Sequence, residues 1–228
     1  DSVLFLGCGT AYHAGLLGKY FVENISRIPA SVEYSSEFKY KNTPSGPNTL
    51  VVGVSQSGET LDTLGALQEA QKRGLDTVAI TNTVASSIAR QVGEGVYQYA
   101  GPEISVASTK AFTSQSTILL MLAVLLGRKN ALSAMDAKRY ISNIRKLPEL
   151  VSQTTQDCND VVKGLAAKFG LYSKIDFLGR QYLYPIALEG ALKTKELSYI
   201  HAHGYPAGEM KHGPLATVGM GNLCFYLA

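Results

Sequence analysis

The segment Ser55-Gln56-Ser57-Gly58-Glu59-Thr60 sets three hydroxyls, an amide side chain and a glycine in one short stretch. It follows directly on the apolar run Leu50 to Val54 and precedes a helix-period segment, Thr60 to Arg73. A polar turn between a buried strand and a helix start presents free backbone N–H groups and the positive end of the helix dipole, so it favours an anion. A phosphate monoester fits such a loop. No lysine closes it, so it is not the GxxxxGK[ST] loop of nucleoside triphosphatases. Neutral donors without magnesium ligands suit a singly phosphorylated sugar better than ATP. The simpler reading is that Ser55 or Ser57 only caps the following helix. Gly7-Cys8-Gly9-Thr10-Ala11-Tyr12 can likewise bring backbone and the Thr10 hydroxyl up to a ligand. It is not a dinucleotide fingerprint, because Tyr12 stands where GxGxxG requires its third glycine. Val106-Ala107-Ser108-Thr109-Lys110 is a third polar turn, ahead of a long apolar helix.

Acid–base chemistry has its own candidates. In the helix expected over Ile186 to Ile200, Glu189, Lys193 and Glu196 are spaced by four and three and share one face. Such a stripe is commonly a solvated salt-bridge row. The turn-rich segment Gly204 to Pro214 brings His212 near Glu209 and Lys211 in sequence. An imidazole titrating near neutrality and tunable carboxylates are what proton movement between adjacent sugar carbons requires. His212 can equally be a surface turn residue.

These residues need a scaffold. Short apolar runs (Ser2 to Leu6, Ser31 to Tyr34, Leu50 to Val54, Thr77 to Thr81) alternate with helix-period segments (Tyr12 to Ser26, Thr60 to Arg73). That alternation predicts a layered α/β fold with largely parallel sheets. A helix over Ser108 to Leu126 closes the first unit, residues 1–130. Residues 131–170 read as a helical connector interrupted at Pro148, and residues 171–228 as a second unit. The two units look homologous. Phe5-Leu6-Gly7 recurs as Phe177-Leu178-Gly179, and the same offset pairs Tyr12 with Tyr184, Ala30 with Ala202, Glu37 with Glu209 and Lys39 with Lys211. Extended without gaps, it maps Leu50 to Val54 onto Asn222 to Tyr226, so the second unit is expected to be incomplete and the chain an excised piece. An apolar sheet edge around Leu223 to Ala228 is then expected as a pairing or aggregation site.

Bulk properties narrow the possibilities. The 228 residues, 46% of them hydrophobic, suffice for a substantial core. The net charge of +3 is dispersed, which disfavours nucleic acid as a partner. The longest uninterrupted apolar stretch, Ile118 to Leu126, is short against a hydrocarbon core about 30 Å thick, and no leader pattern opens the chain, so a cytoplasmic protein is expected. Cys8, Cys158 and Cys224 are odd in number and widely separated, which suggests neither a disulfide framework nor a metal site.

The motifs Cys8-Gly9-Thr10, Ser55 to Thr60, Ala107 to Ala111, Ala187 to Lys193 and Gly208 to Pro214 resemble the sugar isomerase (SIS) domain family over essentially the whole chain. Within it they are most similar to the isomerase portion of the glutamine–fructose-6-phosphate aminotransferases. The resemblance implies tandem three-layer α/β/α units and a phosphosugar substrate, fructose 6-phosphate or glucose 6-phosphate, with no cofactor. It implies that Thr10, Ser55, Gln56, Ser57 and Thr60 hold the phosphate and that Val106 and Ser108 line the sugar pocket. It makes Glu196 the base acting between carbons 1 and 2, Lys193 its neighbour supporting the enediol-like state, and His212 the group that opens the ring. It also implies a homodimer, with the histidine serving a neighbouring subunit, and a glutaminase domain in the full-length protein. No segment here corresponds to that glutaminase domain or to the family's C-terminal tail, so impaired catalysis is expected. Two other readings fit the phosphate loop: a phosphosugar-sensing module and a sugar-adduct deglycase.

Overall fold

The computed structural model describes residues 2–42 and 44–228, and they form two compact units, Asp1–Leu132 and Ser133–Ala228. In the first, β1 (Ser2–Gly7) leads into α1 (Thr10–Phe21), which continues as a π-helical turn over Val22–Ser26. Then come β2 (Ala30–Tyr34), the single turn α2 (Ser35–Phe38), β3 (Thr49–Ser55), α3 (Leu61–Lys72), β4 (Asp76–Thr81), α4 (Ser87–Val92), β5 (Gly95–Tyr97) and α5 (Lys110–Asn130). The short α4 and β5 carry too few apolar residues to stand out in the sequence.

The five strands pair in the order β2-β1-β3-β4-β5, and every pairing is parallel. Each parallel step needs a crossover, so the sheet has helices on both faces and its strands are apolar on both sides. On one face Leu4, Leu6 and Val51 pack against Ala66, Leu67 and Ala70 of α3, with Phe38 and Ile88 completing the cluster. On the other face Phe5 lies under α1. A Cβ on Gly18 of α1 would come within 3.2 Å of the Phe5 ring and 3.1 Å of Leu119 on α5, so glycine there lets three elements meet.

α5 has 21 residues and is apolar enough, by length and composition, to cross a membrane. It buries the stripe Ala111, Gln115, Leu119 and Ala123 within the unit, and Ser26 Oγ donates to Ala123 O at 2.7 Å. One face of α5 is thereby packed into the unit, while Met121 and Leu125 on another remain exposed.

The second unit begins with α6 (Ala134–Ile144) and α7 (Leu147–Phe169). Pro148 sits in the first turn of α7, where its missing N–H costs nothing, and the interruption between the helices falls just before it. There follow β6 (Lys174–Gly179), α8 (Leu183–Ser198), β7 (His201–Pro206), 3-10 turns over Ala207–His212 and Pro214–Thr217, and β8 (Asn222–Tyr226). The parallel sheet β7-β6-β8 repeats the order β2-β1-β3. Val3 pairs with Ala30 as Ile175 pairs with Ala202, which preserves the offset of the sequence repeat.

The gapless extension to the third strand does not hold. Ser2 pairs with Thr49, whereas Lys174 pairs with Asn222, so β8 is displaced by one residue and Leu50 corresponds to Leu223. The shift has a physical reason. A one-residue slip would turn every side chain of the strand to the opposite face. The observed register instead puts Leu223 and Phe225 with Ile175, Ala191 and Ala202. Both side chains are thereby half-buried, whereas Tyr226 is exposed.

The other face of this sheet is polar. Register sets His203, Asp176 and Cys224 side by side across β7, β6 and β8. Asp176 is fully buried, its carboxylate has no hydrogen bond among the described residues, and Lys174 Nζ lies 3.4 Å from Oδ2. Burial pushes the His203 imidazole below its ordinary value, with His201 and Lys195 adding to the effect and Asp176 opposing it. Burial, then Asp176, pushes the Cys224 thiol up.

Three substitutions test these contacts. At Gly7 a Cβ would lie 2.7 Å from the Ala11 backbone, so Gly7→Ala must move the start of α1 and is expected to destabilise the protein by about 1–3 kcal/mol in urea unfolding. Gly65→Ala, inside α3 with its nearest neighbour 4.0 Å away, should stabilise it by about 0.5–1 kcal/mol. His203 prefers its neutral form when folded, so its contribution to stability is full above the ordinary imidazole value of 6.5 and is lost as the pH falls through the lowered one. His203→Gln should therefore flatten the decline of the unfolding midpoint between about pH 7 and pH 5; an unchanged slope would assign that decline to other groups.

Candidate functional site

The carboxyl edge of the first sheet is where the polar loops gather, because every crossover helix starts there. A pocket of about 160 Å³, room for roughly five waters at ~30 Å³ each, opens at this edge. Thr10, Ser55, Gln56, Ser57, Thr60 and Ser108 all line it, which brings together six of the residues singled out in the sequence. Val106 is not part of the lining and is 86% exposed. Cys8, Ala11, Val54 and Gln115 complete the wall. No side chain in it is formally charged.

The loop after β3 is organised by its own hydroxyls. Gly58 N donates to Ser55 Oγ at 3.0 Å, Glu59 N donates to Ser57 Oγ at 3.1 Å, and Ser55 Oγ and Thr60 Oγ1 share a 3.0 Å hydrogen bond. Neither Ser55 nor Ser57 caps α3, and Thr60, at the N-cap position, makes no side-chain cap bond either. The first-turn amides of α3 therefore point toward the pocket edge without a side-chain acceptor. Gly58 adopts φ 67°, and a Cβ there would fall 2.0 Å from Ser86 Oγ, so only glycine fits the turn. Glu59 faces outward: the Ser87 hydroxyl and backbone amide, with Arg90 nearby, hold its carboxyl below the usual range. Its Oε1 accepts from Ser87 N at 2.8 Å and ties the loop to α4. α1 also starts at the pocket, with Thr10 as its first residue behind Gly9. Ser108 donates to Glu103 Oε1 at 3.2 Å, and the same oxygen accepts from Ala111 N in the first turn of α5.

Electrostatically the pocket offers hydroxyls, two side-chain amides and two helix N-termini. Such a combination suits a compact anion held by neutral hydrogen bonds. A larger cavity of about 510 Å³ lies between β3–β5 and α5. Its lining is apolar apart from Glu94 and includes none of the candidate residues.

In the second unit, two successive turns of α8 assemble the ionisable stripe. Lys193 Nζ donates to Glu196 Oε2 at 2.6 Å and stands 3.5 Å from Glu189 Oε1. Glu189 is buried at 6% exposure, so the ammonium between the two carboxylates is more than a solvated surface pair. His212 ends the 3-10 turn that follows β7 and is exposed.

Comparison with known proteins agrees with this geometry. The SIS domain family matches residues 1–125 and 172–228. The chain belongs to the SIS domain family. Among curated SIS-containing proteins, it is 46% identical over 216 residues to a glutamine–fructose-6-phosphate aminotransferase (isomerizing) of Chlorobaculum tepidum, covering 95% of this chain and 35% of that protein. It is 44% identical over 229 residues to one from Caldanaerobacter subterraneus, covering 100% of this chain and 38% of that protein. The chain thus spans little more than a third of the length of these relatives. Among solved structures, it superposes with TM-score 0.95 and 38% identity on the C-terminal domain of glucosamine-fructose-6-phosphate aminotransferase from Francisella tularensis, covering 99% of this chain and 64% of that one. A glucosamine-6-phosphate deaminase from Thermotoga maritima superposes with TM-score 0.82 and 26% identity, covering 99% of this chain and 67% of that one.

Sequence reasoning missed Gln115, hidden in an apolar helix. Its signal was position: it falls four residues after Ala111 and four before Leu119, on the stripe that α5 buries. For the α8 stripe, Lys193→Met should destabilise the protein by about 1–3 kcal/mol, because it leaves buried Glu189 without its ammonium. Glu196→Gln should cost less, since Glu196 is 28% exposed. Chemical denaturation of the two variants checks the order.

Proposed function

We propose that this chain is the sugar-isomerising portion of a glutamine–fructose-6-phosphate aminotransferase, with fructose 6-phosphate as its substrate. The observation that carries the reading is the uncharged pocket where α1 and α3 begin, walled by Thr10, Ser55, Gln56, Ser57 and Thr60. Its donors suit the phosphate of a sugar monoester, and several such bonds at roughly 1.5–3 kcal/mol each offset the cost of association.

In this reading Glu196 takes a proton from one sugar carbon and returns it to its neighbour. The Lys193 ammonium, 2.6 Å from Glu196 Oε2, supports the negative charge that builds on the enediol oxygens. His212 transfers the proton that opens the ring, acting on the sugar held by a second copy in a homodimer, and its exposure is compatible with that role. Ammonia for the amination comes from a glutaminase domain, which belongs to the longer protein of which the relatives are examples. A hexose phosphate substrate is in keeping with work in the cytoplasm.

The test combines binding with proton exchange. Glucose 6-phosphate should raise the thermal midpoint of the chain well beyond inorganic phosphate, as expected for a ligand that binds only the folded state. Ser57→Ala should weaken that binding about ten-fold or more. In full-length protein, Glu196→Gln should keep binding but lose solvent-deuterium exchange at carbons 1 and 2 of the sugar phosphate. Equal shifts from phosphate and hexose phosphate, or exchange undiminished by Glu196→Gln, would overturn the assignment.

A further inference from the structure

The pocket wall contains one group that the phosphoryl oxygens of a dianionic monoester cannot satisfy. Gln115, on α5, is 1% exposed, and its side-chain oxygen Oε1 is buried without a hydrogen-bond partner among the described residues. It lines the same cavity as Ser55, Ser57 and Thr60. Buried polar atoms in folded proteins are almost always paired, and an orphan acceptor is costly. A helix that needed only to fill this position could carry an apolar side chain, as it does one turn away on either side at Ala111 and Leu119.

The chemistry of the missing partner follows from what each group can do. The phosphoryl oxygens of a dianionic phosphate monoester accept hydrogen bonds and donate none, so they pair with the loop's hydroxyls and amides and leave a carbonyl oxygen unpaired. Among the described residues no donor, the loop hydroxyls included, lies within hydrogen-bonding distance of Gln115 Oε1. A hydroxyl on the ligand can supply that donor. We infer that Gln115 accepts a hydrogen bond from a hydroxyl of the bound phosphate ester, so that the site selects hydroxyl-bearing esters, polyol and sugar phosphates, over simple alkyl phosphates.

The inference rests on the phosphate-site reading above and adds to it a residue that reads the sugar. Discrimination of this kind is effective because an analogue lacking the hydroxyl leaves the acceptor buried and unpaired. Rotating the amide to present its NH₂ would merely add another donor for phosphate, and in the experiment below that alternative makes the apolar variants lose ethyl phosphate as strongly as the polyol esters.

The experiment compares wild type, Gln115→Leu, Gln115→Met and Ser57→Ala by calorimetric titration with sorbitol 6-phosphate, glucose 6-phosphate, ethyl phosphate and inorganic phosphate. Wild type should prefer the two polyol esters. Gln115→Leu and Gln115→Met should weaken them about five-fold while leaving ethyl phosphate within about two-fold, whereas Ser57→Ala should weaken all four. The ratio of polyol ester to ethyl phosphate is the deciding readout, since a purely structural loss would lower all affinities together. Both apolar variants should also unfold no earlier than wild type without ligand, because each removes an orphan acceptor. If wild type binds the polyol esters and the Gln115 variants bind them equally well, or if those variants lose ethyl phosphate as strongly, the assignment to Gln115 falls and the phosphate site stands. If wild type binds none of the four, the phosphate-site reading itself fails and takes this inference with it.

Discussion

Parallel strand pairing is the constraint from which the site follows. A parallel neighbour can be reached only by a crossover that returns the chain to the starting edge, so each helix begins where a strand has just ended. In the first unit, β1 hands over to α1 through Gly7-Cys8-Gly9, and β3 to α3 through Ser55 to Thr60. The hand-over is tight enough that a Cβ on Gly7 would meet the Ala11 backbone at 2.7 Å, and the equivalent Gly179 stands even closer to Leu183. Glycine at these points lets the strand end and the helix start touch, which keeps the first-turn amides aimed at one small volume.

What fills that volume electrostatically is partial charge, with no formally charged side chain. Hydroxyls, amides and helix N-termini need no counter-ion of their own, so the fold does not bear the cost of a buried unpaired cation. The serines occupy themselves with loop amides at 3.0 and 3.1 Å, which holds the turn in shape before any ligand arrives. Preorganisation of this sort reduces the ordering cost of binding.

The second unit repeats the first three strands with the same order but uses its faces differently. Against α8 it builds the small apolar cluster of Ile175, Ala191 and Ala202. On the opposite face it sets Asp176, His203 and Cys224 in one row, where the first unit has Leu4 within its core cluster. Homology thus preserved the backbone register while the side chains on one face diverged in character. Meanwhile α8 sets three ionisable residues along one face over two turns, with Lys193 between Glu189 and Glu196.

The alternation of apolar runs and helix-period segments, and the recurrence of Phe5-Leu6-Gly7 as Phe177-Leu178-Gly179, were enough for the sequence alone to determine a tandem parallel α/β architecture, and the run of hydroxyls between strand and helix marked the Ser55 loop as a candidate anion site. Those features are local, since periodicity and turn chemistry depend on neighbouring residues. Other features depend on distant ones and were decided only by the tertiary structure. The one-residue displacement of β8 came from the need to bury Leu223 and Phe225 against α8. The exclusion of Val106 from the pocket wall and the inclusion of Gln115 depended on how the segment before α5, and α5 itself, lie against the β3 loop. A glutamine in an apolar helix reads as a blemish until packing shows which wall it faces, because burial is a property of the assembled layers and not of the residue.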